Sequence, residues 1–175
     1  MTLNDHKDMI NDIKFSQDGS LQLMSASSDE TLKLWNMYED GNMYKTFKGH
    51  IGKVNMCAWS PVSKQVVSVG VNRQAFIWDT QSFKLKFSLK GHLHNVSSCV
   101  YSPDGALVAT ACYDTKICLW NPYNGQLIKQ FFHMLPPPRL IYAGGDNGAY
   151  IRDFSFSKEG DHLISICDDK YVLFY

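Results

Sequence analysis

Three tryptophans fall at nearly equal intervals along this 175-residue chain, with Trp35, Trp78 and Trp120 separated by 43 and 42 residues. A fixed period in this range means like units that stack, because no single unit can bury its own apolar face. The text around each Trp recurs: LKLWN ends at Asn36, FIWD at Asp79 and CLWN at Asn121. His50 and His92 follow a glycine and lie 28 residues before their tryptophans, while His6 lies 29 before Trp35. Between each His and Trp comes turn-forming text, SQDG (16–19), SPVSK (60–64) and SPDG (102–105). A degenerate fourth copy is legible too. Gly160 of SKEG precedes Tyr175 by 15 residues, the interval between Gly105 and Trp120, so Tyr175 stands at the tryptophan position.

Within a copy, short alternating segments are bounded by Gly, Pro, Asp and Ser, which is the pattern of half-buried antiparallel strands. In the third copy the strands are expected at 96–102, 106–111, 116–121 and 126–132, with Pro and Asp-Gly of SPDG making a tight connection. Nothing has the length and period of a helix, so the chain is expected to be all-β with about fifteen short strands.

Charge removes several classes of function. Seventeen Lys and Arg balance seventeen Asp and Glu, and only Arg73, Arg139 and Arg152 are arginines. A protein that binds nucleic acid by neutralising phosphates needs a basic surplus. No stretch reaches the roughly 20 apolar residues of a membrane span, and the first ten residues are too polar for a signal peptide. The expectation is a soluble intracellular protein of the cytoplasm. Its five cysteines form no C-x-x-C pair and are odd in number, which favours small buried hydrophobes over disulfides or zinc ligands.

A period near 42 that opens on Gly-His and closes on Trp-Asp or Trp-Asn resembles the WD40 repeat family over essentially the whole chain. The resemblance implies WD40 β-propeller blades of four-stranded antiparallel sheets, about four of them (5–48, 49–90, 91–132 and 133–175), in an incomplete propeller. It also implies a buried relay in each blade. The matching positions are His6, Ser25, Asp29 and Trp35; His50, Ser68, Asn72 and Trp78; His92, Thr110, Asp114 and Trp120; and Ser165, Asp169 and Tyr175, with His133 a distant candidate for the fourth. A buried indole needs an acceptor for its N–H, and a hydroxyl and an imidazole can pass the bond on to a carboxylate. Asn72 is expected to accept from His50 without a charge, making the second blade the weaker one.

This assignment disposes of residues that otherwise look catalytic. Ser, His and Asp recur together beside every Trp, whereas a catalytic triad would occur once, so no enzyme and no cofactor is expected. Metal binding by His50, His92 and His94 is not expected either, since one His per repeat places them in different blades. GGDNG (144–148) lacks the strand before it and the helix after it that a phosphate loop requires, and is expected to be a turn.

From Trp120 to Tyr175 is 55 residues, about 13 beyond the period, and the surplus lies in FFHMLPPPRLIYAGGDNGAY. Pro136, Pro137 and Pro138 cannot donate ladder hydrogen bonds and favour a stiff extended arm. This insertion, with EDGNMYKTFKGH, SPDGALVATACYDTKICLWNPYNG and DDK, is similar to the WD repeat and SOCS box-containing proteins. That resemblance implies an adaptor whose propeller captures a protein substrate and whose SOCS box recruits elongins B and C with a cullin, for ubiquitination; a WD40 scaffold without a ligase role is the alternative. The text after each Trp (WNMY, WDTQ, WNPY) lacks the basic residue that would support docking to a cullin-4 adaptor. The sequence stops before later blades and a SOCS box, so this form is expected to bind without delivering, and its uncovered strand edges to promote self-association. Arg73, Tyr113, Arg139 and Tyr142 join the three prolines as candidate partner-binding residues, because Arg and Tyr are favoured at interface hot spots. Deleting residues 136–145 is expected to spare the fold and weaken partner capture, as read by circular dichroism and pull-down with the shortened chain.

Overall fold

The computed structural model describes residues 2–38, 41–132, 151–167 and 172–175. Among them are fifteen strands and no helix, so none that is long and apolar enough to cross a membrane. Each of the first three repeats folds as a four-stranded antiparallel meander. The first contains β1 (Ile10–Phe15), β2 (Gln22–Ser27), β3 (Thr31–Asn36) and β4 (Asn42–Lys48). The second contains β5 (Val54–Trp59), β6 (Gln65–Gly70), β7 (Ala75–Asp79) and β8 (Lys84–Ser88), and the third β9 (Val96–Tyr101), β10 (Val108–Cys112), β11 (Lys116–Trp120) and β12 (Leu127–Phe132). The fourth sheet has three described strands, β13 (Ile151–Phe156), β14 (Leu163–Cys167) and β15 (Val172–Phe174). The described strands form four separate sheets. The proline insertion, with Pro136, Pro137, Pro138, Arg139, Tyr142 and the GGDNG segment, lies outside the described residues, as do His133 and Asp169.

The turn text does what its chemistry allows. In SPDG, Gly105 adopts φ 71° and its N–H donates to the Ser102 carbonyl (2.8 Å), while the Asp104 carboxylate accepts the Ala106 N–H (3.0 Å). A left-handed residue after a tight turn matches the twist of the flanking strands, and glycine takes that conformation at no steric cost. The Gly of Gly-His has a different reason. A Cβ at Gly49 would stand 3.0 Å from the Trp78 indole, and one at Gly91 would stand 3.1 Å from that of Trp120, so each glycine lets the chain cross the edge of its own blade's ring.

The core lies between blades. Met24, Ala26, Leu32 and Leu34 of the first sheet pack on Val54, Cys57 and Trp59 of the second. Val67, Val69, Ala75 and Ile77 repeat those positions against Val96, Cys99 and Tyr101, and Ala109, Ala111 and Ile117 against Ile151 and Phe154. Trp59, the tryptophan outside the period, belongs to this layer and donates its indole N–H to the Lys14 carbonyl of the preceding blade (2.9 Å).

Every innermost strand carries a β-bulge at the same place. The ladder skips Asn11 in β1, Asn55 in β5, Ser97 in β9 and Arg152 in β13. A bulge leaves its extra residue unpaired and re-aims its side chain. Here the side chain reaches the next blade. Asn11 Nδ2 donates to the Val54 carbonyl, Asn55 Nδ2 to that of Val96, and Ser97 Oγ to that of Ile151, each at 2.7 Å. These three latches fix neighbouring blades in register. Asn55→Ala is expected to cost about 1 kcal/mol, and Asn55→Ser, which copies blade three, to recover part of it; urea denaturation of both variants reads the difference.

Candidate functional site

The recurring polar residues come together inside the blades as a graded series. In the first blade, Trp35 Nε1 donates to Ser25 Oγ (2.8 Å), and Ser25 Oγ meets His6 Nε2 at 2.6 Å. The Asp29 carboxylate can only accept, so His6 Nδ1–H donates to it (2.8 Å). Asp29 also accepts the Lys7 N–H (3.0 Å) and the Thr31 N–H and hydroxyl (3.0 and 2.6 Å). Burial works to raise its pKa, but these donors outweigh it and hold the carboxyl well below its ordinary range.

The second blade keeps half of this. Trp78 Nε1 donates to Ser68 Oγ and His50 Nε2 meets the same oxygen, both at 2.7 Å. The expected Asn72 contact is absent. Asn72 and Arg73 are both left-handed, with φ 60° and 65°, whereas the first and third blades place a single left-handed residue in this turn, Glu30 or Thr115. The altered turn re-aims Asn72, whose Nδ2 donates to the Ile51 carbonyl (2.7 Å), and buried His50 Nδ1 has no hydrogen-bond partner. Burial drives the His50 pKa down to about 4, with the Gln74 side chain opposing.

In the third blade, Trp120 Nε1 donates to Thr110 Oγ1 (2.7 Å), which meets His92 Nε2 at 2.6 Å. Asp114 does not complete the chain of bonds as expected. It accepts the Leu93 N–H (2.9 Å) and Lys116 N–H (3.1 Å), while His92 Nδ1 faces the Cys118 thiol at 4.0 Å. Burial lowers His92 to about 4, with the Asp114 charge opposing and Lys116 assisting. The donor atoms of His92, Cys112 and Asp114 lie within 4.8 Å of one another. In the first blade the same positions are His6, Ser27 and Asp29, so this trio is the repeat's brace with a thiol in place of a hydroxyl. Burial pushes the Cys112 thiol up to about 12, which keeps it protonated and a poor metal ligand. In the fourth blade, buried Ser165 Oγ reaches the Tyr175 hydroxyl at 3.5 Å.

Ser25, Ser68 and Thr110 are buried and engaged by both an indole and an imidazole, so none is presented to a substrate. What the blades present is the rim where the bulges and the β2–β3 type turns converge. Arg73 is exposed in the second blade's turn; in the third, the Tyr113 ring lies 6.1 Å from His94 and 5.9 Å from the Arg152 guanidinium of blade four. The Asn72 N–H donates to Asn95 Oδ1 (3.3 Å), tying the second blade's turn to the loop ahead of β9. Ile51 and Leu93, each directly after its Gly-His, are exposed apolar residues on this rim. Composition and motif do not single them out, although their shared offset from the histidine is a usable signal. A cavity of about 210 Å³ opens among the bulges, lined by Asn11, Asn55, Met56, Ser97, Arg152 and Asp153.

The blades define the class. The WD domain, G-beta repeat model matches residues 1–36, 41–79 and 83–121, and the chain belongs to the WD40-repeat family, whose blade arrays are protein-interaction modules. Among individual proteins, it is similar over all 175 residues to WD repeat and SOCS box-containing protein 1 of Xenopus tropicalis and of Homo sapiens, at 45% identity each, and of Danio rerio at 42%. The chain spans 42% of the frog and human relatives and 41% of the fish one.

Low folded-state pKa values of His50 and His92 have a signed consequence. Both rings protonate near the ordinary 6.5 when unfolded and near 4 when folded, so between these values the unfolded chain binds more protons. Stability is expected to fall as pH drops from about 6.5 to 4, by roughly 2–3 kcal/mol per ring. The depressed Asp29 adds a second loss below its ordinary 3.8. Melting temperature against pH reads both steps, and His50→Gln should shrink only the upper one.

Proposed function

We propose that this chain is the client-binding part of an adaptor for a SOCS-box ubiquitin ligase. The observation that carries the reading is identity of 45% along the full 175 residues with proteins whose name joins WD repeats to a SOCS box. The rim supplies the physical means. It combines exposed Ile51 and Leu93 with Arg73 and Tyr113, a mixture of apolar area and planar polar groups suited to protein contacts. Arg139, Tyr142 and the three prolines, which lie outside the described residues, remain proposed partner contacts. Free cysteines, four of the five buried, fit a reducing compartment such as the cytoplasm.

In this reading the blades select the client, and delivery belongs to a SOCS box that recruits elongins B and C with a cullin. The test joins this chain to the SOCS box of the frog relative and follows ubiquitin conjugates on proteins captured in cells. Leu93→Asp combined with Tyr113→Ala is expected to reduce capture at least about tenfold while leaving the thermal melt unchanged. Equal capture by the wild-type and rim variants would remove the rim from the reading. Capture without conjugation would favour a scaffold role instead.

A further inference from the structure

We propose that the groove between the first and second blades, at the strand ends opposite the rim, docks a proline-rich segment of a partner protein whose prolines are followed by acidic residues. The groove has a volume of about 420 Å³. Leu34 and Trp35 of β3 bound it, Tyr44 of β4 and Phe83 of the β7–β8 turn supply aromatic walls, and Gln22, Asn36 and Gln81 add carboxamides. Every wall comes from a four-stranded blade with a neighbour in place, so the groove is framed whatever precedes or follows this chain.

The groove has its origin in the exchange of one ring. At the next junction, Phe87 of β8 packs directly onto Gly125, where a Cβ would stand 2.9 Å from the ring. Lys45 holds the Phe87 position in the first blade, since Leu34 pairs with Lys45 as Ile77 pairs with Phe87. The ring comes instead from Phe83, which matches Gly125 in lying five residues after its tryptophan. Phe83 has φ 57°, where Gly41 and Gly125 have 70° and 72°, and a bulky side chain rarely adopts this conformation. Such a residue persists where its surroundings hold it, and residues of this kind cluster at ligand sites. The Phe83 ring meets Tyr44 edge-on at 5.4 Å and Phe47 at 6.2 Å, with Lys45 Nζ 5.4 Å from its centroid.

Aromatic walls beside amide donors select the occupant. No charged side chain lines this groove among the described residues. Asn36 Oδ1 accepts the Tyr38 N–H (3.0 Å), which leaves Nδ2 as its free end, and the carboxamides of Gln22 and Gln81 make no hydrogen bond among the described residues. A run of prolines answers both features. It offers carbonyl acceptors and no N–H, and its rings stack on aromatic walls from a conformation that is already extended. Gln81 also lines a second groove, of about 250 Å³, between the second and third blades. There the exposed Val62 and Tyr123 accompany Lys64 and Lys86. The carboxylates on that side are engaged within their own turns, Asp79 by the Gln81 and Ser82 N–H groups and Asp104 by the Ser102 hydroxyl and Ala106 N–H. Neither lysine makes an ion pair among the described residues, so negative charge on the segment is drawn to this end.

Fluorescence anisotropy tests this, with a labelled peptide of six prolines followed by two aspartates titrated with the full 175-residue chain. A Kd of about 100 µM is expected, and a peptide with glycine and serine in place of the prolines, or lysines in place of the aspartates, should bind at least about tenfold more weakly. Phe83→Gly supplies the residue that the other blades use in this turn, and Tyr44→Ser changes an exposed side chain; together they should weaken binding about tenfold while the thermal melt is retained. Lys86→Glu, also at an exposed position, should reverse the preference between aspartate and lysine tails. Leu93→Asp with Tyr113→Ala, on the opposite rim, should leave peptide affinity unchanged, which separates failure here from failure of the client-binding reading. The proposal is overturned by the lack of saturable binding up to about 1 mM, by equal affinity for the glycine-serine peptide, by full affinity in the Phe83→Gly and Tyr44→Ser variant, or by an unaltered tail preference in Lys86→Glu.

Discussion

A buried indole N–H has to find an acceptor, and one hydroxyl in each of the first three blades meets that demand. Ser25, Ser68 and Thr110 sit opposite the middle of the third strand, accept from Trp35, Trp78 and Trp120, and share a hydrogen bond with the Nε2 of a histidine from the loop ahead of the blade. The bond spans three pieces of chain, so it ties the entry loop to two strands at a single atom. Removing the acceptor would strand two buried polar groups, which costs more than the bond itself contributes. The glycine before His50 and before His92 follows from this arrangement, since the indole lies against the chain at that point.

Beyond that shared oxygen the blades diverge. His6 passes its bond to a carboxylate, His92 feels one only as a nearby charge, and His50 Nδ1 has no partner. The tryptophan end of the relay is therefore the constant end in the first three blades, and the carboxylate end is where it varies. Such variation is tolerable because a neutral imidazole with one bonded nitrogen still fills its space, with the remaining loss expressed as a lowered pKa rather than as a rearranged blade.

The repeat, the sheet class and the residues around each Trp could be read directly, because each rests on a side chain whose type recurs at a fixed interval. Asn72 shows where that reading stopped. Its position was right, but its contact depended on a left-handed backbone that Asn adopts readily and that an Asp at the same position in the other blades does not adopt here. The latches were not legible for a related reason. Asn11, Asn55, Ser97 and Arg152 share no chemical type beyond having a donor, and their common feature is a skipped rung of the ladder that only the pairing reveals. Trp59 stands outside the period, so the repeat does not reveal its place, which is buried at the junction of the first two blades.

Each latch joins a side chain on one blade to a main-chain carbonyl on the next. The receiving group is one that every amino acid carries, so the receiving strand imposes no choice of residue at that rung. Selection for the contact falls on the donor alone, and a blade copied or exchanged within such an array arrives with its acceptor already in place. The asymmetry offers a chemical reason why units of this kind can be multiplied along a gene while the sequences at their seams drift apart.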